Sequence, residues 1–288
     1  WLRLFSTLWV NRQSRSNLNM IGKTRIEDIL GSEDMSGYRG LVCLDMDRVL
    51  VDHLSTWQYV YDKLGINNDE SFELYNQGLL NEWDWIKLDI ALLKGSRSAP
   101  DKVLTDSEMR GHLLGAPMMK NYHKLITTLI NNSFAVAIVS GGLQQTARDI
   151  AAEFPSDKKW SKRWGGIDRH TSERISSGFD TKLHVFTNGW LAGKQLPDGD
   201  HELDDFGRYQ VQMNGKGAVV KMLQRRLGIS KDRTASVGDS AGDIGMFAES
   251  KLAICFNPWD DRPKEHADVV VEEKDLSIVL DLILNAIN

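Results

Sequence analysis

Two aspartates, Asp45 and Asp47, stand one residue apart at the end of an apolar run, Leu41-Val42-Cys43-Leu44. A short apolar run bounded by polar residues reads as a buried strand of a parallel sheet. Open α/β sheets bind ligands at the carboxyl ends of their strands, where these acids fall. Carboxylates this close repel each other and lose hydration, so an opposite charge must compensate. Mg²⁺, which favours oxygen ligands, would do so. An edge strand running into an acidic turn accounts for the same residues, and this stretch alone does not choose between them.

Three later stretches also end in residues that could do chemistry. Val136-Ala137-Ile138-Val139-Ser140-Gly141-Gly142 is an apolar run ending in a hydroxyl and two glycines. The Ser140 hydroxyl and the Gly141 N–H could bind phosphate oxygens, with glycine allowing close approach; on its own this is equally a turn. Asn214-Gly215-Lys216-Gly217 puts Lys216 at the start of a helix, where it could neutralise phosphoryl charge or simply be solvated. Lys221, one turn on, is the weaker choice. Ala235-Ser236-Val237-Gly238-Asp239-Ser240-Ala241-Gly242-Asp243 is a strand that again ends in acids, spaced across a strand-to-helix turn so that both can face one pocket.

In this order the four stretches resemble the motifs of the haloacid dehalogenase superfamily of phosphohydrolases, most nearly its phosphoserine-phosphatase-like branch. The resemblance runs from about residue 41 to residue 287. It implies a Rossmann-like, doubly wound parallel α/β sheet with a small helical cap inserted after the first strand. It also implies a Mg²⁺-dependent phosphatase acting on a small phosphomonoester. Asp45 would be the nucleophile, forming an aspartyl-phosphate, and Asp47 the general acid and base. Asp45, Asp47 (through its backbone carbonyl) and Asp239 would hold the metal, Ser140, Gly141 and Lys216 the phosphate, and Asp243 would orient Lys216 or a metal-bound water. Dehalogenase relatives lack the second acid, so Asp47 favours phosphoryl transfer.

The chain departs from phosphoserine phosphatases at several places. Gly242 stands where they carry Asn, Leu54 where they carry a glutamate, and Asp89 where a cap arginine grips the substrate carboxylate. An acid cannot replace that arginine, so a substrate other than phosphoserine is expected. Arg48, beside the nucleophile where a small residue is usual, is one cation that could substitute. Arg110, His53 and Lys87 are others, each equally a surface residue. Transfer to an acceptor other than water, as in a mutase, and a non-catalytic binding role are the rival readings.

Composition sets the bounds. The 288 residues suffice for a large domain or a core plus a smaller one. A hydrophobic content of 41% and a net charge of −5 give no general attraction to nucleic acid. Cys43 and Cys255 lie in apolar runs and read as small buried hydrophobes, which fits a reducing cytoplasm. No apolar run approaches the roughly 20 residues that span a bilayer. The apolar start, 1–10, is mostly followed by its basic residues, the reverse of a signal peptide; Met20 is a candidate start, and 1–35 reads as an appendage.

The elements that must position these residues follow from local pattern. Ser55 can cap a helix carrying Trp57, Val60, Tyr61 and Leu64 on one stripe, with Gly65 closing it. Helical patterns continue over 71–77, 81–93 and 106–114, so 55–115 is the expected cap. The expected core is 36–54 with 116–288: helices at 121–131, 144–154, 217–227 and 276–287, strands at 253–256 and 268–271. Short strands are expected at 185–187 and 208–213 around an acidic turn, 198–205. The polar stretch 157–182 mixes basic residues with Trp160 and Trp164. It reads as an insertion, most simply a solvated loop, although nucleic-acid contact uses such mixtures.

Overall fold

A computed structural model describes residues 37–96, 104–155 and 181–287. The expected appendage, and all but residues 181–182 of the 157–182 insertion, lie outside the described residues. Six parallel strands form one sheet in the order β3-β2-β1-β6-β7-β8. They are β1 (Gly40–Leu44), β2 (Phe134–Leu143), β3 (Leu183–Asn188), β6 (Thr234–Gly238), β7 (Leu252–Phe256) and β8 (Val269–Val271). The doubly wound sheet expected from the sequence is present.

Alternation along the strands divides the core into two faces, as the period of two requires. Val42, Leu44, Val136 and Ile138 pack with α5 (Tyr122–Asn131), α6 (Gln144–Ala152) and α9 (Leu276–Ala286) on one side. Leu41, Cys43, Ala137 and Val139 pack with α7 (Lys216–Leu227) and Met246 of α8 (Ile244–Ala248) on the other. Cys43 and Cys255 are buried and unbridged. Among the described residues no helix is long and apolar enough to cross a membrane.

Among the described residues between β1 and α5 lie four helices: α1 (Thr56–Leu64), α2 (Asp69–Asn76), α3 (Glu82–Gly95) and α4 (Asp106–Leu113). Their ends are chemically fixed. The Ser55 side chain accepts from the Trp57 N–H, and Gly65 closes α1 at φ 66°. Thr105 and Glu108 form a capping box on α4. These helices have their own core of Val60, Tyr61, Ile86, Ile90, Leu93, Met109 and Leu113, which also takes in Leu143, Trp190 and Leu203.

Two local expectations are corrected. Residues 208–213 do not form a strand; only Arg208 bridges, to Gly189. The Asn188 side chain takes the ladder's place, accepting from the Gln210 and Val211 N–H groups and donating to the Val211 carbonyl. The supposed acidic turn at 198–205 contains strand β5 (His201–Leu203), paired antiparallel with β4 (Ala192–Gln195). The reversal falls at 196–200, where Gly199 takes φ 91°.

Candidate active site

The carboxyl ends of β1, β2 and β6 are adjacent, and the residues singled out in the sequence converge there. Asp45 follows β1 and is tied to β6 by its N–H to the Val237 carbonyl, 2.9 Å. Its Oδ1 accepts from the Met46 N–H at 2.8 Å and lies 3.0 Å from Lys216 Nζ. Lys216, the first residue of α7, is buried and also donates to Asp243 Oδ1 at 2.7 Å. Asp243 Oδ2 accepts from the N–H groups of Asp239 and Ser240 and from the Ser240 hydroxyl. Asp243 is therefore saturated: it holds the lysine and the strand-to-helix turn.

Asp47 is held by a residue that motif reading did not find. Thr56 donates its N–H to Asp47 Oδ1 at 3.0 Å and its hydroxyl to Oδ2 at 3.4 Å. The same hydroxyl accepts from the Leu143 N–H at 2.8 Å, joining the start of α1 to the end of β2. The only sequence signal was its place beside the Ser55 cap, where first-turn N–H groups lack helical partners. The Trp57 indole N–H adds a second tie, to the Gly141 carbonyl at 3.2 Å. Gly142 lets these parts meet: a Cβ there would fall 2.5 Å from Asp47 Oδ2 and 2.8 Å from the Thr56 hydroxyl. Ser140 is buried, hydrogen-bonds Asp45 and accepts from the Gly142 N–H.

The electrostatics are those of a site short of positive charge. Burial, and then the Asp45 charge, push Asp47 up to about 7 against its Thr56 hydrogen bonds. Burial, with Asp45 and Asp243, raises Asp239 to about 9 although Lys216 and Arg48 oppose it. Asp45 is raised too, chiefly by burial, with Lys216 opposing. Burial works against the Lys216 ammonium, but Asp243 and Asp45 outweigh it and hold its pKa above the ordinary lysine value.

Oxygens of Asp45, Asp239 and Asp243 lie within 4.8 Å of one another. Hard oxygen donors and excess negative charge fit Mg²⁺. With Asp243 already saturated, Asp45 and Asp239 are the side chains that could hold it, with the Asp47 carbonyl as the resemblance implies.

The sequence comparisons agree with this geometry. A family profile described as haloacid dehalogenase-like hydrolase matches residues 211–283. The phosphoserine phosphatase of Wolinella succinogenes is 26% identical over 206 residues, 71% of this chain and 80% of that protein. That of Methanocaldococcus jannaschii is 30% identical over 157 residues, 54% of this chain and 58% of that protein.

By these matches the chain resembles the haloacid dehalogenase superfamily.

Its fold resembles a solved phosphoserine phosphatase described as a phospho-aspartyl intermediate analogue. The TM-score is 0.57 at 24% identity, covering 85% of this chain and 99% of that one. Against that branch of the haloacid dehalogenases, Gly242 has a local reason: a Cβ there would press on the Met213 carbonyl at 3.3 Å.

The residues considered for substrate selection have the following surroundings. Asp89 is buried on α3, bonded by Asn68 and Ser71 and pushed by burial to about 6. Leu54 is exposed. Lys87 pairs with Asp84, Arg110 with Asp106, and His53 stands 3.7 Å from Asp62. The Arg48 side chain is engaged by Asp239 and by the loop after β7.

Proposed function

We propose that the protein is a Mg²⁺-dependent phosphatase that hydrolyses a small phosphomonoester through an aspartyl-phosphate on Asp45. The observation that carries this reading is Lys216, buried 3.0 Å from Asp45 and 2.7 Å from Asp243, with Asp47 on a separate mount at Thr56.

Asp45 attacks phosphorus, forming a carboxylate–phosphorus bond as the ester oxygen departs. Asp47, protonated below about pH 7, gives its proton to that oxygen. As a carboxylate it then takes a proton from water, which attacks the aspartyl-phosphate and frees Asp45. Lys216 balances the charge of the phosphoryl oxygens, and Ser140 with the Gly141 N–H fixes their orientation. A bound Mg²⁺, held by Asp45, Asp239 and the Asp47 carbonyl, would supply Lewis-acid stabilisation of the transferring group. Helices α1 to α4 form the cap, with Thr56 and Trp57 as its contacts to the catalytic loops. Closing a site in this way excludes water from the reactive acyl phosphate.

The substrate is a phosphomonoester other than phosphoserine. Arg48, Lys87 and Arg110 each already face a carboxylate. Gripping the phosphoserine carboxylate with one of them would break an existing ion pair. Hydrolysis of a panel of small phosphomonoesters with Mg²⁺ tests both parts. Turnover of at least one compound, abolished by EDTA, is expected, with phosphoserine low in kcat/KM. Full activity in EDTA would refute the metal requirement, and phosphoserine leading the ranking would refute the substrate reading.

A further inference from the structure

Arg48 is placed where a divalent cation would feel it. Its Nε lies 3.1 Å from Asp239 Oδ2, off the hydrogen-bonding direction, so the contact is electrostatic more than directional. Its Nη2 donates to the Asn257 carbonyl at 2.8 Å, to Asn257 Oδ1 at 3.2 Å and to the Pro258 carbonyl at 3.4 Å. The guanidinium also lies 5.4 Å from the Trp259 ring centroid. Asn257 Nδ2 donates back to the Arg48 carbonyl, and the Trp259 N–H to the Asp239 carbonyl. Arg48 takes φ 61° and Asn257 φ 46°, conformations that L-residues avoid unless contacts fix them. The guanidinium is thus anchored independently of Asp239 and cannot easily swing away when a cation arrives.

We propose that Arg48 is a fixed counter-cation that lowers the affinity of the aspartate cluster for its divalent metal, making the ion exchangeable instead of permanently held. This rests on the Mg²⁺-dependent reading above. The guanidinium and the metal share the negative charge of Asp239, and like charges a few ångströms apart repel. Removing Arg48 also lets protons bind the acids more tightly. A divalent ion feels the lost charge about twice as strongly as a proton does, so the net effect is still tighter metal binding.

The test is calorimetric titration of EDTA-stripped full-length protein with MgCl₂, which needs no turnover. Arg48→Gln and Arg48→Gly are both neutral, and the glycine also removes the left-handed strain, so at least one folded variant is expected. Both should bind Mg²⁺ about tenfold more tightly or better, and Arg48→Lys, which keeps the charge, should return toward the wild-type affinity. Unchanged or weaker binding in the neutral variants overturns the proposal, as does Arg48→Lys binding as tightly as Arg48→Gln. If none of the proteins, wild type included, binds Mg²⁺, the metal reading itself falls and this proposal with it.

Discussion

Replacing Asp243 with alanine isolates the strut beneath Lys216. The substitution deletes the 2.7 Å ion pair with Lys216 and strips the Asp239 and Ser240 N–H groups of their acceptor. Removing one member of a buried ion pair costs about 3–5 kcal/mol, and each orphaned buried donor costs about 1–3 kcal/mol. Two effects offset part of this. Lys216 keeps Asp45 at 3.0 Å, and Asp45 and Asp239 lose a repulsive neighbour. A net loss of about 3 kcal/mol remains, and at about 2–4 °C per kcal/mol for a chain of this size the melting temperature falls by about 6–12 °C. Asp243→Asn keeps one oxygen to accept the two N–H groups but turns an amide donor toward the ammonium, so its loss should be roughly half as large. Thermal unfolding in metal-free buffer measures both. A melting point for Asp243→Ala within about 2 °C of wild type would show that Asp243 does not hold Lys216.

Three further outcomes are expected. Asp45→Asn should abolish turnover while the metal-free protein stays folded, because Lys216 retains Asp243 and one acid–acid repulsion is gone; near-wild-type activity in a phosphate-release assay would remove Asp45 as nucleophile. The folded-state pKa values of Asp47 and Asp239, about 7 and about 9 against 3.8, mean that the folded protein binds these protons more tightly than the unfolded chain. Their stabilisation is therefore complete below about pH 4 and lost as pH rises through 7 and 9, so melting of EDTA-treated protein should fall across pH 5–9, and a flat or rising profile would contradict the charge balance described. Gly142→Ala would press a methyl group 2.5 Å from Asp47 Oδ2 and 2.6 Å from the Met46 methyl carbon; kcat should drop by about tenfold or more with little change in KM, and unaltered kcat would mean that Asp47 tolerates displacement.

What was legible in the sequence was local. Asp45, Asp47, Ser140, Lys216, Asp239 and Asp243 each sit within a few residues of a strand end or helix start, and apolar runs mark those ends. The helix over 56–64 announced itself through Ser55 and Gly65. What escaped were side chains bonded to distant backbone. Thr56 looked like an ordinary first-turn residue, and its value lies in Asp47 and in Leu143, far along the chain. Arg48 looked like a free cation because its anchors at Asn257 and Pro258 leave no periodic trace. The strand expected at 208–213 failed for the same reason: a side-chain amide, Asn188, took the ladder's role.

The strand order sets a timetable for the chain's birth. Leu41 of the central strand pairs with Ala135 on one side and with Thr234 on the other. During synthesis the apolar stretch Leu41–Leu44 leaves the ribosome well before its second neighbour, which is made only after nearly two hundred more residues. At about 5–20 residues per second, that edge stays unpaired for roughly ten to forty seconds. A bare parallel strand of this kind invites association with other chains, so the nascent protein should depend on holding chaperones more than its finished stability would imply. Because Asp45 and Asp239 come together only when that pairing closes, the onset of activity in a translation reaction could come no earlier than that pairing.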